Sequence, residues 1–390
     1  MSRLLCVLLI SFIPWLAFCA DDDSIPVKNK LSLSGYVKYM QQASFVKRID
    51  AMQTGNLIHN RLHLLYKPNK SIQLRADIRN RIFYGELIRE TPGYANVLDN
   101  PNDFLNITKI WYDQNGLILH TVIDRAYINY STHAWDISIG RQRINWGINT
   151  VWTPNDIFNT YNFFDFDYEE RPGSDGIRLQ YVPNNLSAIE LAYKAGSKKE
   201  EHIGALMYRF NQRNYDFQCF GGILNTDITA GFGWAGNIRN AGFKGETTLL
   251  YPVMEKTADT TASALTSISL DYVFSNGLYV NGAFLYNHSG SDQLNALTSF
   301  YTTRLTIRNL MPFKYSWSLM INKAINPVWS VSEVLIYSTA SNTLISVPSL
   351  TYSIADNWEL FLTGQLFFAT SNSKFGSVGN SIFARLKMAF

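Results

Sequence analysis

Between Ser71 and Phe83 the arginines Arg75, Arg79 and Arg81 stand at odd positions with Gln73 and Asp77, while Ile72, Leu74, Ala76, Ile78 and Ile82 stand at even ones. In an extended chain successive side chains point to opposite faces, so this spacing gathers the guanidiniums into one column and the aliphatic chains into another. A guanidinium stays charged at any physiological pH and cannot act as a proton donor or acceptor in catalysis. A column of such groups attracts and passes anions. Arg61 lies across one turn from this column.

These residues need elements that hold them in register. Helical periodicity is nearly absent from Leu31 onward, whereas period-two alternation recurs in segments of about ten residues separated by turn residues, the pattern of transmembrane strands. One such segment fits a soluble sheet equally well, so the repetition decides. Eighteen segments can be placed, at 31–46, 56–66, 71–84, 118–131, 134–144, 174–182, 186–195, 203–211, 215–223, 228–239, 241–251, 263–274, 277–288, 312–323, 327–338, 343–354, 357–369 and 380–390. An even number returns both ends of the chain to one side. Alternate connections are tight turns, such as Lys67-Pro68-Asn69-Lys70 and Ser275-Asn276, and the others include long loops at 85–117, 145–173, 252–262, 289–311 and 370–379. The fold class read from this is all-β, a transmembrane antiparallel β-barrel over 31–390. Aromatic residues at strand ends, among them Tyr66, Tyr130, Trp135, Tyr181, Trp329 and Trp358, fit a girdle at the headgroup level.

If the apolar face meets lipid, the lumen receives Lys38, Arg61, Arg75, Arg79, Arg81, Arg125, Arg178, Lys194, Arg209, Lys244, Lys314, Arg385 and Lys387, opposed by Asp77, Glu190, Asp216, Glu246, Asp271 and Glu359. Pairing explains any single charge equally well, but thirteen cations against six anions leave an excess that pairing does not absorb. Arg141 and Arg143 share parity with Ile137 and Ile139, which would turn them to lipid at roughly 2–4 kcal/mol each at the bilayer midplane. The sequence therefore predicts a bulge near Gly140 that re-aims both, unless the strand has already left the membrane there.

The segment Asn145 to Gly173 carries Trp146-Gly147, Trp152, Pro154, Asp156 and the run Phe163-Phe164-Asp165-Phe166-Asp167-Tyr168-Glu169-Glu170-Arg171-Pro172-Gly173. A loop this long is usually functional, and so many aromatics are not left in water. It is expected to fold into the barrel mouth, where its carboxylates face the arginine wall across a constriction. Gly140-Arg141-Gln142-Arg143, Trp146-Gly147, Pro154, Asp156 and Glu170-Arg171-Pro172-Gly173 together resemble the signature of porin-like barrels of the alginate-export type and their uncharacterised relatives. That resemblance implies eighteen strands and a basic lumen suited to an acidic polysaccharide. The last segment, with Ile382, Ala384, Leu386, Met388 and Phe390 on one face, resembles the terminal strand of bacterial outer-membrane barrels, which implies that Phe390 is read by the barrel assembly machinery.

Arg3, the apolar run Leu4 to Leu16 and Ala17-Phe18-Cys19-Ala20 read as an export signal over 1–20, cleaved after Cys19 or Ala20. Acylation of Cys19 would require a small residue where Phe18 stands. Residues 21–30 then form a short periplasmic segment with no room for a plug domain, and Cys219 is left without a disulfide partner. Only 17% of residues are charged, against roughly 25% in soluble domains, and no apolar run of about 18 residues follows the signal.

The chain lacks Gly-x-Ser-x-Gly, His-Glu-x-x-His and a phosphate-binding glycine loop, so no enzyme is expected. His59 and His63 lie roughly 13 Å apart along a strand, too far to share a metal. Asp165, Asp167, Glu169 and Glu170 match no calcium-loop spacing. No cofactor, metal or nucleic acid is expected. The residues point to a channel in the lipid of the bacterial outer membrane for small hydrophilic, preferentially anionic solutes. An exporter of acidic polysaccharide and a plugged structural or surface-anchoring barrel are the alternatives.

Overall fold

The computed structural model describes residues 30–46, 52–98, 104–160, 170, 173–184, 186–253, 261–291, 306–339, 341–371 and 374–390. The expected signal and the segment 21–29 lie outside them. Nineteen strands are described: β1 Leu31–Phe45, β2 Gln53–Tyr66, β3 Ile72–Gly85, β4 Thr108–Gln114, β5 Leu117–Ser131, β6 Trp135–Gln142, β7 Ser174–Asn184, β8 Ser187–Lys194, β9 Ile203–Gln212, β10 Tyr215–Leu224, β11 Asp227–Ile238, β12 Ala241–Pro252, β13 Ser263–Val273, β14 Leu278–Asn287, β15 Tyr315–Asn326, β16 Trp329–Ser338, β17 Thr343–Ala355, β18 Trp358–Ser371 and β19 Lys374–Ala389. Each pairs antiparallel with its neighbour in sequence except that β3 pairs with β5, and β1 closes on β19 from Tyr36↔Ala389 to Phe45↔Asn380.

Eighteen strands therefore form the closed wall, and β4 is the additional one. The sequence missed it inside the stretch 85–117. It pairs with the upper half of β5, from Thr108↔Val122 to Gln114↔Leu117, on the edge that β6 occupies lower down from Ala126 to Ser131. The hairpin between them turns through Asn115 and Gly116, both at positive φ (54° and 72°), the conformation that matches the twist of a two-residue hairpin. The expected loop 370–379 is also corrected. β18 runs to Ser371 and β19 starts at Lys374, with Ser371 opposite Lys374, so Phe375, Gly376 and Ser377 belong to a paired strand. Their glycine and serine content hid a ladder that backbone pairing alone sustains.

The strands carry apolar residues outward as expected: Ile128, Ile139, Ile177, Leu191, Leu206, Ile223, Leu249 and Trp317 are all exposed. Trp135 and Tyr181 face each other across β6 and β7 with ring centroids 4.6 Å apart, and Trp329 stacks on Tyr352 at 4.2 Å. The interior is more apolar than alternation predicts. Ala205, Met207, Phe220, Leu250, Leu265, Leu285, Ile336 and Val347 point inward and are buried in one cluster with Trp146, Trp152 and Phe158 of the 145–173 loop and with Ile307, Leu310, Met311 and Phe313. Thus the barrel encloses a hydrophobic core along β8–β17, built by two chain segments that fold inward.

The predicted bulge near Gly140 is absent, because the β5–β6 register runs unbroken from Ala126↔Arg141 to Ser131↔Asp136. The bulge lies on β5, where Asp77↔Arg125 is followed by Ile78↔Ile123 and Asp124 is the extra residue. It switches the parity of the strand: Ile118, His120, Val122 and Asp124 are buried above it, while Tyr127 and Asn129 line the interior below it with Arg125. Arg141 keeps the parity of outward Ile139 and is nevertheless buried, because Asp175 on β7 binds it twice at 2.7 Å. Arg141 also donates to the carbonyls of Ile123 (3.3 Å) and Leu105 (2.6 Å), and the Leu105 N–H donates to Asp175 (2.8 Å). The pair thus satisfies backbone groups at the seam where β5 exchanges β6 for β4. Gly140 sits beside that seam at φ 118°, where an added Cβ would lie 2.3 Å from the Ala126 oxygen.

Breaking a buried pair leaves one uncompensated charge, so Arg141→Ala or Asp175→Ala alone is expected to lower stability to urea in lipid vesicles by about 3–5 kcal/mol. The double replacement R141M with D175L is expected to recover most of that loss. Losses that simply add in the double variant would show that the two side chains do not act as a pair.

Candidate functional site

The segment from Ile144 to Asn159 is held against the inner wall by side-chain and backbone groups of six strands. Trp146 donates its indole N–H to Glu190 on β8 (2.7 Å), and Gln218 on β10 donates to the Trp146 carbonyl (2.7 Å). Glu246 on β12 is fully buried and accepts the backbone N–H groups of Ile148, Asn149 and Asn155. Thr248 donates to the Pro154 carbonyl (2.9 Å), and Asn149 bonds the Ser267 carbonyl (3.1 Å) and the Ser269 hydroxyl (2.7 Å) on β13. Asn155 reaches the Phe232 carbonyl on β11 (3.1 Å), and Asn159 bonds Ser174 on β7 (3.0 Å). Gly233 permits this approach, since a Cβ there would lie 2.7 Å from Ile148 and 2.9 Å from the Asn155 amide.

The expected constriction residues consequently divide. Trp146 and Trp152 are buried in the apolar cluster, with Trp146 edge-on to Phe158 at 4.9 Å, so they seat the loop rather than line the opening. Asp156 is fully buried within the loop, with its carboxyl near that of Glu246 on β12. Asp165, Asp167, Glu169 and Arg171 lie outside the described residues. Glu170 reaches the basic wall, 2.9 Å from Arg61.

That wall is built by register. Lys38, His59, Arg81 and His120 stand side by side on β1, β2, β3 and β5, Arg61 stands opposite Arg79, and His63, Asp77 and Arg125 form the next row. Arg61 touches Asp124 (3.0 Å) and Asp77 (3.3 Å), Arg79 touches Asp124 (3.1 Å), and Arg75 grips Asp77 through two bonds at 2.9 and 2.8 Å. Arg81 bonds His120 at 3.3 Å and lies over the Phe83 ring. Arg178 on β7 pairs with Glu190 (3.0 Å) and Asp136 (3.2 Å). Arg143, just beyond β6, is exposed and bonds Asn145 (3.2 Å).

Of the eight arginines selected from sequence, Arg61, Arg75, Arg79, Arg81, Arg125 and Arg178 are therefore on the inner wall, and Arg143 joins them at its margin. Arg141 is corrected to the seam pair. Below the loop a recess of about 460 Å³ is lined by Arg75, Arg125, Arg143 and Arg178 together with Glu170, Asp136, Tyr127, Gln73, Asn129, Ser138 and Gln142. Cations concentrate on β1–β3 and β5–β7, opposite the apolar half of the lumen.

His63, Asp77 and Glu170 present ligand atoms within 4.8 Å of one another. Arg75 and Arg61 already neutralise those carboxylates at 2.8 and 2.9 Å, so a divalent cation would enter among guanidiniums. The grouping is part of an ion-pair network.

Three participants escaped sequence reasoning: Asp124 as the partner of Arg61 and Arg79, Asp175 as the partner of Arg141, and Glu246 as the anchor of the loop. Asp124 had a readable signal. Outward Leu117 and Leu119 are odd, whereas Ala126, Ile128 and Tyr130 are even, so the phase must slip between them.

No protein-family model matches the sequence, and no curated protein does. In fold the chain is similar to OccAB4 of Acinetobacter baumannii (TM-score 0.58, 9% identity, 93% of this chain and 99% of that chain covered). It is likewise similar to OccK11 (OpdR) of Pseudomonas aeruginosa (TM-score 0.56, 9% identity, 92% and 96% covered) and to OccK5 (OpdH) of the same organism (TM-score 0.58, 8% identity, 93% and 98% covered). The fold shared with them is a closed antiparallel β-barrel with eighteen wall strands. The porin-like part of the sequence resemblance holds at the level of fold. These similarities do not extend to the alginate-export part of the resemblance, which is not carried further.

Replacing Glu246 by Ala leaves three loop N–H groups without their shared acceptor, a loss of roughly 1–3 kcal/mol for each buried donor. The expected consequence in single-channel recordings is frequent closure as the released loop leaves its seat on the wall. A steady current equal to that of the wild type would show that Glu246 does not hold the loop.

Proposed function

We propose that this chain is an outer-membrane channel through which small hydrophilic solutes diffuse, with preference for anions, and that it carries out no catalytic step. The observation that supports this reading is the recess lined by Arg75, Arg125, Arg143 and Arg178 on the inner side of β3 to β7. Barrels of this strand number are wide enough to leave an aqueous path once inward loops are seated. Among the described wall residues of that path the guanidiniums exceed the carboxylates: Arg61, Arg75, Arg79 and Arg125 stand with Asp77 and Asp124. Such an imbalance raises the local concentration of anions over cations.

Tyr127, Gln73, Asn129 and Gln142 add neutral donors and acceptors to the recess, which favours solutes that carry hydroxyl or amide groups beside a negative charge. Assembly of the barrel is proposed to use Phe390. Its backbone exchanges two hydrogen bonds of 2.9 Å with Gly35 at the closing seam, and its ring is exposed.

Reversal potential in a planar bilayer under a KCl gradient tests the selectivity. Wild type is expected to pass chloride in preference to potassium, and Arg75→Gln combined with Arg143→Gln is expected to reduce that preference by at least about twofold, as lost fixed charge lowers the local anion concentration. A preference for potassium would overturn the anionic reading, and the absence of conductance would move the assignment to a plugged structural barrel.

A further inference from the structure

The wall network contains three carboxylates that differ in accessibility and origin. Asp77 on β3 and Asp124 on β5 are built into the strands, and their side chains are 0% and 5% exposed. Glu170 arrives from the loop, and its side chain is 36% exposed. It places Oε2 at 2.9 Å from Arg61 Nη2 and 3.9 Å from Arg75 Nη2, and Oε1 at 3.9 Å from His63 Nε2. Of the three it is the one that water reaches, and it also lines the recess.

We propose that Glu170 is a tethered carboxylate ligand of the basic wall, seated where a permeating anion binds, so that a solute must displace it from Arg61 and Arg75. This rests on the anionic reading given above and goes beyond it by assigning one residue control over which anions enter and at what concentration. Asp77 and Asp124 cannot fill this role, because each is held by two arginines and is closed to solvent.

The exchange is favourable in physical terms because one carboxylate leaves as another arrives. The buried charge of the network stays constant, and no guanidinium is left without an acceptor, which is the costly outcome in a poorly solvated site. The donors released are Arg61 Nη2 and Arg75 Nη2, of which Arg75 lines the recess, and each offers the charge-assisted hydrogen bond that arginine makes to carboxylates. A group tethered by a short chain competes at an effective concentration on the order of millimolar or above, so Glu170 screens out anions that are scarce or bind weakly. The network is therefore set to favour solutes whose carboxylate is supported by further contacts, such as those available from Tyr127, Asn129 and Arg143.

The test is the half-saturation concentration of single-channel conductance in potassium acetate for wild type, E170Q, E170D and D136N, each confirmed as folded by its heat-modifiable migration on gels. Asp136 lines the same recess and bonds Arg178, so D136N removes one charge without removing the competitor. Competition predicts that E170Q lowers half-saturation by at least about fivefold while D136N changes it by less than about twofold. E170D keeps the charge but loses reach, and is expected to shift in the same direction as E170Q. Equal shifts in E170Q and D136N would reduce the effect to a general field and overturn the proposal, as would no shift in E170Q. A wild type that passes potassium rather than acetate would overturn the anionic reading and this proposal together. An acetate-selective wild type with an unresponsive E170Q would overturn the proposal alone.

Discussion

The requirement that every backbone N–H and C=O be paired within hydrocarbon governs this structure. A sheet in lipid cannot leave an edge, so the chain is obliged to return β19 to β1, and it does so along ten residue pairs with Gly35 and Phe390 continuing the ladder. Everything inside follows from that closure. A ring of eighteen strands is too wide to be filled by wall side chains, and its interior must be occupied by water, by charge or by chain segments folded inward.

The described residues supply charge and inward segments, unevenly. On β8–β17 the inward residues are mostly small, aliphatic or aromatic, and two inward segments complete a packed core there. On β1–β3 and β5–β7 a smaller apolar cluster with Met40, Leu57, Phe83 and Ile118 shares the inner face with charged residues, whose burial is made tolerable by interleaving: Asp77 lies among Arg61, Arg75 and His63, and Asp124 lies between Arg61 and Arg79. The loop that separates the two regimes is secured chiefly by polar atoms at its own backbone. Glu246 gathers three of its N–H groups, so a single buried carboxylate sets how far the loop stands from the basic wall.

The bulge at Asp124 shows how a small irregularity decides the chemistry. With regular pairing, either Asp124 or Arg125 would face lipid. The extra residue turns both inward, so the same strand supplies the carboxylate that holds Arg61 and Arg79 and an arginine that lines the recess. The seam pair of Arg141 and Asp175 solves the neighbouring problem, since a charge at an outward position is tolerated there only because its partner and the backbone of Leu105 close over it.

The sequence by itself determined the number of wall strands, their order of direction and the face on which Arg61, Arg75, Arg79 and Arg81 stand. Period-two alternation is a local property, and each segment carries its own copy of it. It also marked the 145–173 loop as the segment that enters the lumen, because aromatics at that density require burial. Only the tertiary structure decided that β4 joins the sheet, that Trp146, Trp152 and Asp156 face the wall rather than the opening, and that Asp175 answers Arg141. Those outcomes depend on which residues meet across the closed ring. Glu246 and Ile148 are 98 positions apart, and no local pattern encodes a contact of that range. It forms once the strands between them have paired in register and brought an apolar wall, a glycine and a buried carboxylate beneath the same stretch of chain.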